Sequence, residues 1–110
     1  MPGCMVQLSF KLNVSVEDYE RAVTHAAQAI AAVDGLRWKI WIVNQTEREA
    51  GGVYQFENEE AADAYLSGPI ITQLRGAPFQ RDLVARKFGI IESLTAITRG
   101  PLPASSSVIG

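Results

Sequence analysis

Hydrophobic and polar positions alternate along residues 4–12. Val6, Leu8, Phe10 and Leu12 fall on one side, and Met5, Gln7, Ser9 and Lys11 on the other. A period of two predicts a strand with one buried face. From Val16 the period changes: Val16, Tyr19, Val23, Ala26, Ile30 and Val33 recur at spacings of 3 and 4, which predicts an amphipathic helix. Asn13 or Ser15 is available to cap it, and Glu17 and Asp18 lie in its first turn, where the helix dipole favours acids. Gly35 is placed to end it.

The alternation then returns. Leu36, Trp38, Ile40 and Ile42 face one way and Arg37, Lys39, Trp41 and Val43 the other, so the second strand carries a tryptophan on each face. A polar connection from Asn44 to Glu49 leads into a third strand from Ala50 to Phe56. Asn58 caps a second helix, with Glu59 and Glu60 in its first turn and Ala62, Tyr65 and Leu66 as its apolar stripe. Gly68 and Pro69 interrupt it, Ile70 to Leu74 make a further helical turn or two, and Gly76 and Pro78 close the region. A fourth strand spans Asp82 to Ile91, where Val84, Arg86, Phe88 and Ile90 alternate with Leu83, Ala85, Lys87 and Gly89. Ser93 to Thr98 form a short helix. Residues 1–100 read as one domain, and 101–110, rich in Pro, Ser and Gly, as a flexible tail.

The order β-α-β-β-α-β is that of the ferredoxin-like α+β fold, an antiparallel sheet with helices on one face. The strands carry apolar residues on both faces, Met5, Trp41, Val43, Leu83 and Ala85 among them. A second copy packed sheet against sheet is the simplest cover, giving a homodimer.

Composition narrows the chemistry. The chain has 110 residues, 47% hydrophobic and 20% charged, with a net charge of −2. Mixed charge of this kind gives no footprint for nucleic acid or a membrane surface. The apolar stretch CMVQLSF is too short to span a bilayer, and a cytoplasmic location is expected. One cysteine and one histidine exclude an internal disulfide and the common zinc or two-histidine iron sites. No GxGxxG or P-loop pattern is present. No metal and no organic cofactor is expected. His25 falls off the apolar stripe, and Cys4 reads as a small buried strand residue.

The candidate chemistry concentrates between Gly35 and Phe56. Both tryptophans lie there, in WKIW, and with Tyr54 and Phe56 they place four of the nine aromatics in one hairpin. Gly51 and Gly52 remove side chains beside these walls, or mark a β-bulge. Bulky aromatics next to missing side chains are one way to build a pocket for a flat apolar molecule. Trp38 or Trp41, Phe56, Gly52, Tyr65 and Phe88 are candidate lining residues, and Tyr54 is a candidate hydrogen-bond partner. Arg86 or Lys39 is a candidate anion stabiliser and Glu49 a candidate base, although residue type favours an ion pair within the domain or across the dimer for Arg86 and a solvated position for Glu49.

The segments GLRWKIW, EREAGGVYQFENEEAADAYL and ARKFGIIESLTAI resemble the YdhR-like mono-oxygenases of the dimeric α/β-barrel superfamily. The likeness runs from Leu8 to Ile97, and the combination WKxW…EAGGxYxF is its most specific part. It implies a dimer whose two sheets close into a barrel. It further implies a pocket in each subunit and cofactor-independent oxygenation of aromatic or polycyclic substrates, with O2 as co-substrate. The chain departs from the family pattern around Gln73 to Arg81. If that segment covers the pocket, it sets substrate choice. Two other readings fit the same pocket: a non-redox cyclase or isomerase, and a non-enzymatic binder or stress-response protein holding a small hydrophobe.

Overall fold

The computed structural model describes residues 3–102, so most of the expected tail lies outside the described residues. Four strands, β1 (Cys4–Leu12), β2 (Leu36–Asn44), β3 (Glu49–Phe56) and β4 (Gln80–Gly89), form one antiparallel sheet in the order β2-β3-β1-β4. Four helices accompany it: α1 (Val16–Ala31), α2 (Glu59–Leu66), α3 (Pro69–Arg75) and α4 (Glu92–Ile97). This is the ferredoxin-like α+β arrangement read from the hydrophobic pattern.

The core lies between the sheet and helices α1 to α3. Val6, Leu8, Phe10 and Leu12 of β1 meet Ala50, Tyr54 and Phe56 of β3, and Tyr19, Ile30, Ala62, Tyr65 and Ile71 close over them. Each large side chain buried here contributes about 1.5–3 kcal/mol. Ser15 and not Asn13 caps α1, its hydroxyl accepting from the Asp18 amide at 3.1 Å. Asn58 caps α2, accepting from the Ala61 amide at 2.8 Å. Asn13 instead ties β1 to the approach of β4, donating to the carbonyls of Pro78 and Gln80. Lys87 clamps α2 to β4 through Asp63 at 2.6 Å and Glu59 at 2.8 Å.

Several details differ from the sequence pattern. The α1 helix is capped at Ala32, and Gly35 occupies the left-handed turn beyond it, at φ +82°. A side chain at Gly35 would run into Ala61. A bulge between Leu36 and Trp38 breaks the simple alternation of β2, so Leu36 turns to the helices while Trp38, Ile40 and Ile42 turn away. Gly51 and Gly52 are not a bulge, because β3 keeps unbroken register with both neighbours across them. A methyl group at Gly51 would overlap the Leu8 carbonyl, so Gly51 permits the close approach of β1.

The open face also differs in membership. Trp41, Val43, Leu83 and Ala85, expected among the residues needing a second cover, turn to the helix side of the sheet, where Leu83 and Ala85 pack on the core while Trp41 and Val43 stay exposed. Ile40, Ile42, Val84 and Phe88 are the exposed apolar residues on the other side. The α4 helix and residues 101–102 lie beside this face near Trp38, whose indole nitrogen donates to the Pro101 carbonyl at 3.0 Å.

Candidate active site

The alternation of β3 aims Tyr54 at the helices, and that of β2 beyond its bulge aims Lys39 and Trp41 the same way. The opposing wall is α1, where Ala22, Ala26 and Ala29 stand in for bulkier residues and leave space beneath the helix. A cavity of about 220 Å³ results, to whose lining Ile70, Leu74 and Phe79 also contribute. It is smaller than the roughly 300–1,000 Å³ of drug-sized sites. A shallower groove continues from it along α1 and shares Tyr19, Val23 and Trp41 with it. Trp41, 38% exposed, therefore stands between the inner cavity and the outer groove.

The cavity is apolar apart from a few groups. Lys39 Nζ lies 3.4 Å from the Trp41 ring centre and 4.6 Å from that of Tyr54. Its stem fills the space left by Gly52, where a β-carbon would sit 2.5 Å from Lys39 Cε. Among the described residues it makes no ion pair. Burial lowers its pKa from 10.5 to about 7, because an ammonium out of water is costly. The ring faces oppose that shift by attracting the cation, and desolvation prevails.

Tyr54 and Tyr65 share a hydrogen bond between their hydroxyls at 3.0 Å. Burial pushes both phenols up, so they remain protonated donors and not bases. One proton lies between the two oxygens, and the other is available to a ligand. Tyr19 is likewise pushed up to about 12 by burial. Phe56 stacks on Tyr54 at 5.9 Å and packs on Tyr65 at 5.4 Å, supporting the pair from behind without lining the cavity.

Of the residues singled out in the sequence, the fold brings Lys39, Trp41, Tyr54 and Tyr65 together, with Gly52 beneath Lys39. Four others lie elsewhere. Trp38, Arg86 and Phe88 are on the opposite face of the sheet, Arg86 with its guanidinium 5.8 Å from the Phe88 ring. Glu49 pairs with Lys11 and Asn44 at the far end of β3, facing away from the helices. For Arg86 the reason is strand parity: with Lys87 held at the helices by Asp63 and Glu59, its neighbour must face away. The helical wall was legible only as core, since an apolar stripe looks the same whether it meets the sheet or a cavity. The run of alanines at positions 22, 26, 27 and 29 was the available signal. Gln73, Ala77 and Phe79 of the segment that departs from the family pattern do line the cavity. His25 is exposed and Cys4 buried.

Comparison with known proteins places this arrangement. The sequence matches the family described as Putative mono-oxygenase ydhR over residues 5–101. No curated protein sequence matches it. Among solved structures, protein SO0527 from Shewanella oneidensis superposes with a TM-score of 0.66 at 15% identity, covering 81% of this chain and 91% of that one. SnoaB, a cofactor-independent oxygenase from Streptomyces nogalater, gives 0.66 at 12% identity over 83% and 95%. A dimeric ferredoxin-like protein of unknown function from Thermobifida fusca gives 0.64 at 21% over 81% and 92%. At such identities the structural likeness is one of fold. The sequence match extends over nearly the whole chain, and the protein belongs to the ydhR mono-oxygenase family.

Proposed function

We propose that the protein is a homodimeric mono-oxygenase that uses O2 without an organic cofactor on a small electron-rich aromatic, such as a hydroquinone or an anthrone-like ketone. The observation that carries this reading is the Lys39 amine, without an ion-pair partner among the described residues, in an apolar cavity beside the Tyr54–Tyr65 hydroxyl pair. An acidic phenol entering the cavity gives its proton to Lys39 Nζ. The resulting ammonium then stabilises the phenolate in a medium that strengthens the attraction. The anion passes one electron to O2, and the radical pair recombines as a peroxide at carbon. Loss of water leaves a carbonyl: one oxygen atom stays in the product, the other departs as water, and the substrate supplies both electrons. The spare phenol proton of the tyrosine pair orients the substrate oxygen. Trp41 covers the mouth and excludes water. Lys39 thus takes the roles of base and anion stabiliser for which Glu49 and Arg86 were candidates.

The dimer half of the proposal rests on the open sheet face. Ile40 and Phe88 are 54% and 44% exposed there, and the Gln55 side-chain oxygen is buried with no hydrogen-bond partner among the described residues. Such a surface is suited to a second copy. The family membership and the SnoaB and Thermobifida fusca folds support both halves.

Oxygen uptake by chelator-treated protein with a panel of hydroquinones and anthrones is the test. Uptake that survives chelation and drops at least about tenfold in Lys39→Met and Tyr54→Phe supports the reading. Uptake absent in the wild type, or unchanged in both variants, overturns it.

A further inference from the structure

We propose that Lys39 also forms imines, so that the cavity captures small aromatic or conjugated aldehydes and ketones by condensing their carbonyl with the Lys39 amino group. This activity needs no oxygen and stands apart from the oxygenase reading.

The placement of Lys39 carries the inference. Its amine projects into a cavity walled by Leu8, Val23, Ile30 and Trp41, with no carboxylate in the lining. The titratable groups facing it are Tyr54 from β3, Tyr65 from α2 and Tyr19 from α1, all neutral phenols; α3 offers only the uncharged Gln73. A lysine without a counter-ion in an apolar pocket is an activated nucleophile, because desolvation releases its lone pair near neutral pH. Flat carbonyl compounds also suit the Trp41 and Tyr54 rings, whose centres lie 3.4 and 4.6 Å from the amine.

The chemistry balances without an added reagent. The nitrogen lone pair attacks the carbonyl carbon, and the oxygen takes up a proton to give a carbinolamine. The hydroxyl then leaves as water as the Tyr54–Tyr65 pair gives it the spare proton, and the remaining proton on nitrogen returns to the pair. The imine is an electron sink for the adjacent carbon, so the same site would support decarboxylation or carbon–carbon bond rearrangement of a bound keto compound.

The sequence supplies its own controls, since its three lysines are Lys11, Lys39 and Lys87. Lys87 is bound by Asp63 and Glu59, which hold it charged. Lys11 lies on the opposite sheet face from the cavity. The experiment treats the full chain under nitrogen with cinnamaldehyde and sodium cyanoborohydride, which reduces any imine to a stable secondary amine. Peptide mapping then locates the adducts from about pH 6 to 9, spanning the expected transition well below the ordinary lysine range. Lys39 is expected to label at least about tenfold faster than Lys11 or Lys87 at neutral pH. Its rate should rise through about pH 7. Lys39→Arg should lose the fast adduct while Lys11 labelling stays as it was. Labelling of Lys39 no faster than Lys11, or labelling that begins only above about pH 9, would overturn the proposal. The comparison within the wild-type chain decides the matter even if the variant fails to fold. Success under nitrogen with no oxygen uptake in air would uphold this inference while removing the oxygenase reading.

Discussion

The two faces of the sheet are built from the same four strands and have opposite fates. On the helix-covered side Tyr54 and Phe56 are buried, Lys39 is desolvated and Tyr65 closes over them. One residue away in each strand, Ile40, Ile42, Val84 and Phe88 remain exposed, and beside them the Gln55 oxygen is buried near α4 without a partner among the described residues. Helices close to the strands in sequence cover the first face and leave a cavity where α1 carries alanines. Among the described residues, α4 and residues 101–102 lie beside the second and leave most of it open. A face completed within one chain can hold a reactive group out of water, whereas an uncompleted face is material for an interface.

The strongest way to break this contrast is to charge the open face. Ile40→Glu with Phe88→Glu should weaken self-association by about 4 kcal/mol, roughly a thousandfold in Kd, because each carboxylate would be buried without a partner. Sedimentation equilibrium reads the change, and a double variant that stays dimeric would place the interface elsewhere. Adjacent glycines sharpen the contrast further. Gly51→Ala forces β1 away from β3 and should cost about 3 kcal/mol in urea unfolding, since only backbone could yield. Gly52→Ala meets the flexible Lys39 stem and, at 3.3 Å, the Tyr54 ring, and should cost about 1–2 kcal/mol, less than Gly51→Ala, while shifting Lys39 labelling. Equal costs would sink the distinction.

Within the cavity, Tyr65→Phe leaves the buried Tyr54 hydroxyl without its protein partner and should lower stability by about 1–2 kcal/mol. The pH dependence has a sign that reverses the usual one for lysine. Burial lowers the Lys39 pKa from 10.5 to about 7. Between those values the unfolded chain holds a proton that the folded chain lacks, so the Lys39 contribution to stability rises with pH through that window. Below it, the buried ammonium carries its full cost. Lys39→Met should therefore stabilise the protein more near pH 6 than near pH 10, the two pKa values setting an upper bound of about 4 kcal/mol on the difference. A stability gain independent of pH would show that the amine is not desolvated.

Element order was legible because periods of two and of 3.6 are properties of neighbouring residues. The β1 alternation, the α1 stripe and the Ser15 and Asn58 caps all depend on contacts within a few positions. The site was legible in part: Lys39, Trp41, Tyr54 and Tyr65 were candidates, and the fold gathers them. Trp38, Arg86, Phe88 and Glu49 were equally plausible by residue type and lie on the sheet face opposite this cavity, Trp38 in a separate groove beside α4.

Alternation says which residues share a face and not which face is covered. For β2 and β4 that choice was made by long-range register: the bulge between Leu36 and Trp38, and the pairing of Leu8 with Ala85. Slipping a strand by one residue exchanges its faces at almost no local cost. The sequence by itself therefore determined the βαββαβ order and an aromatic hairpin in search of a partner surface. Tertiary structure alone decided that Lys39 would be the desolvated amine and Arg86 the solvated guanidinium. The physical reason is that desolvation depends on what packs over a side chain, and the α1 residues that pack over Lys39 come from a separate part of the chain.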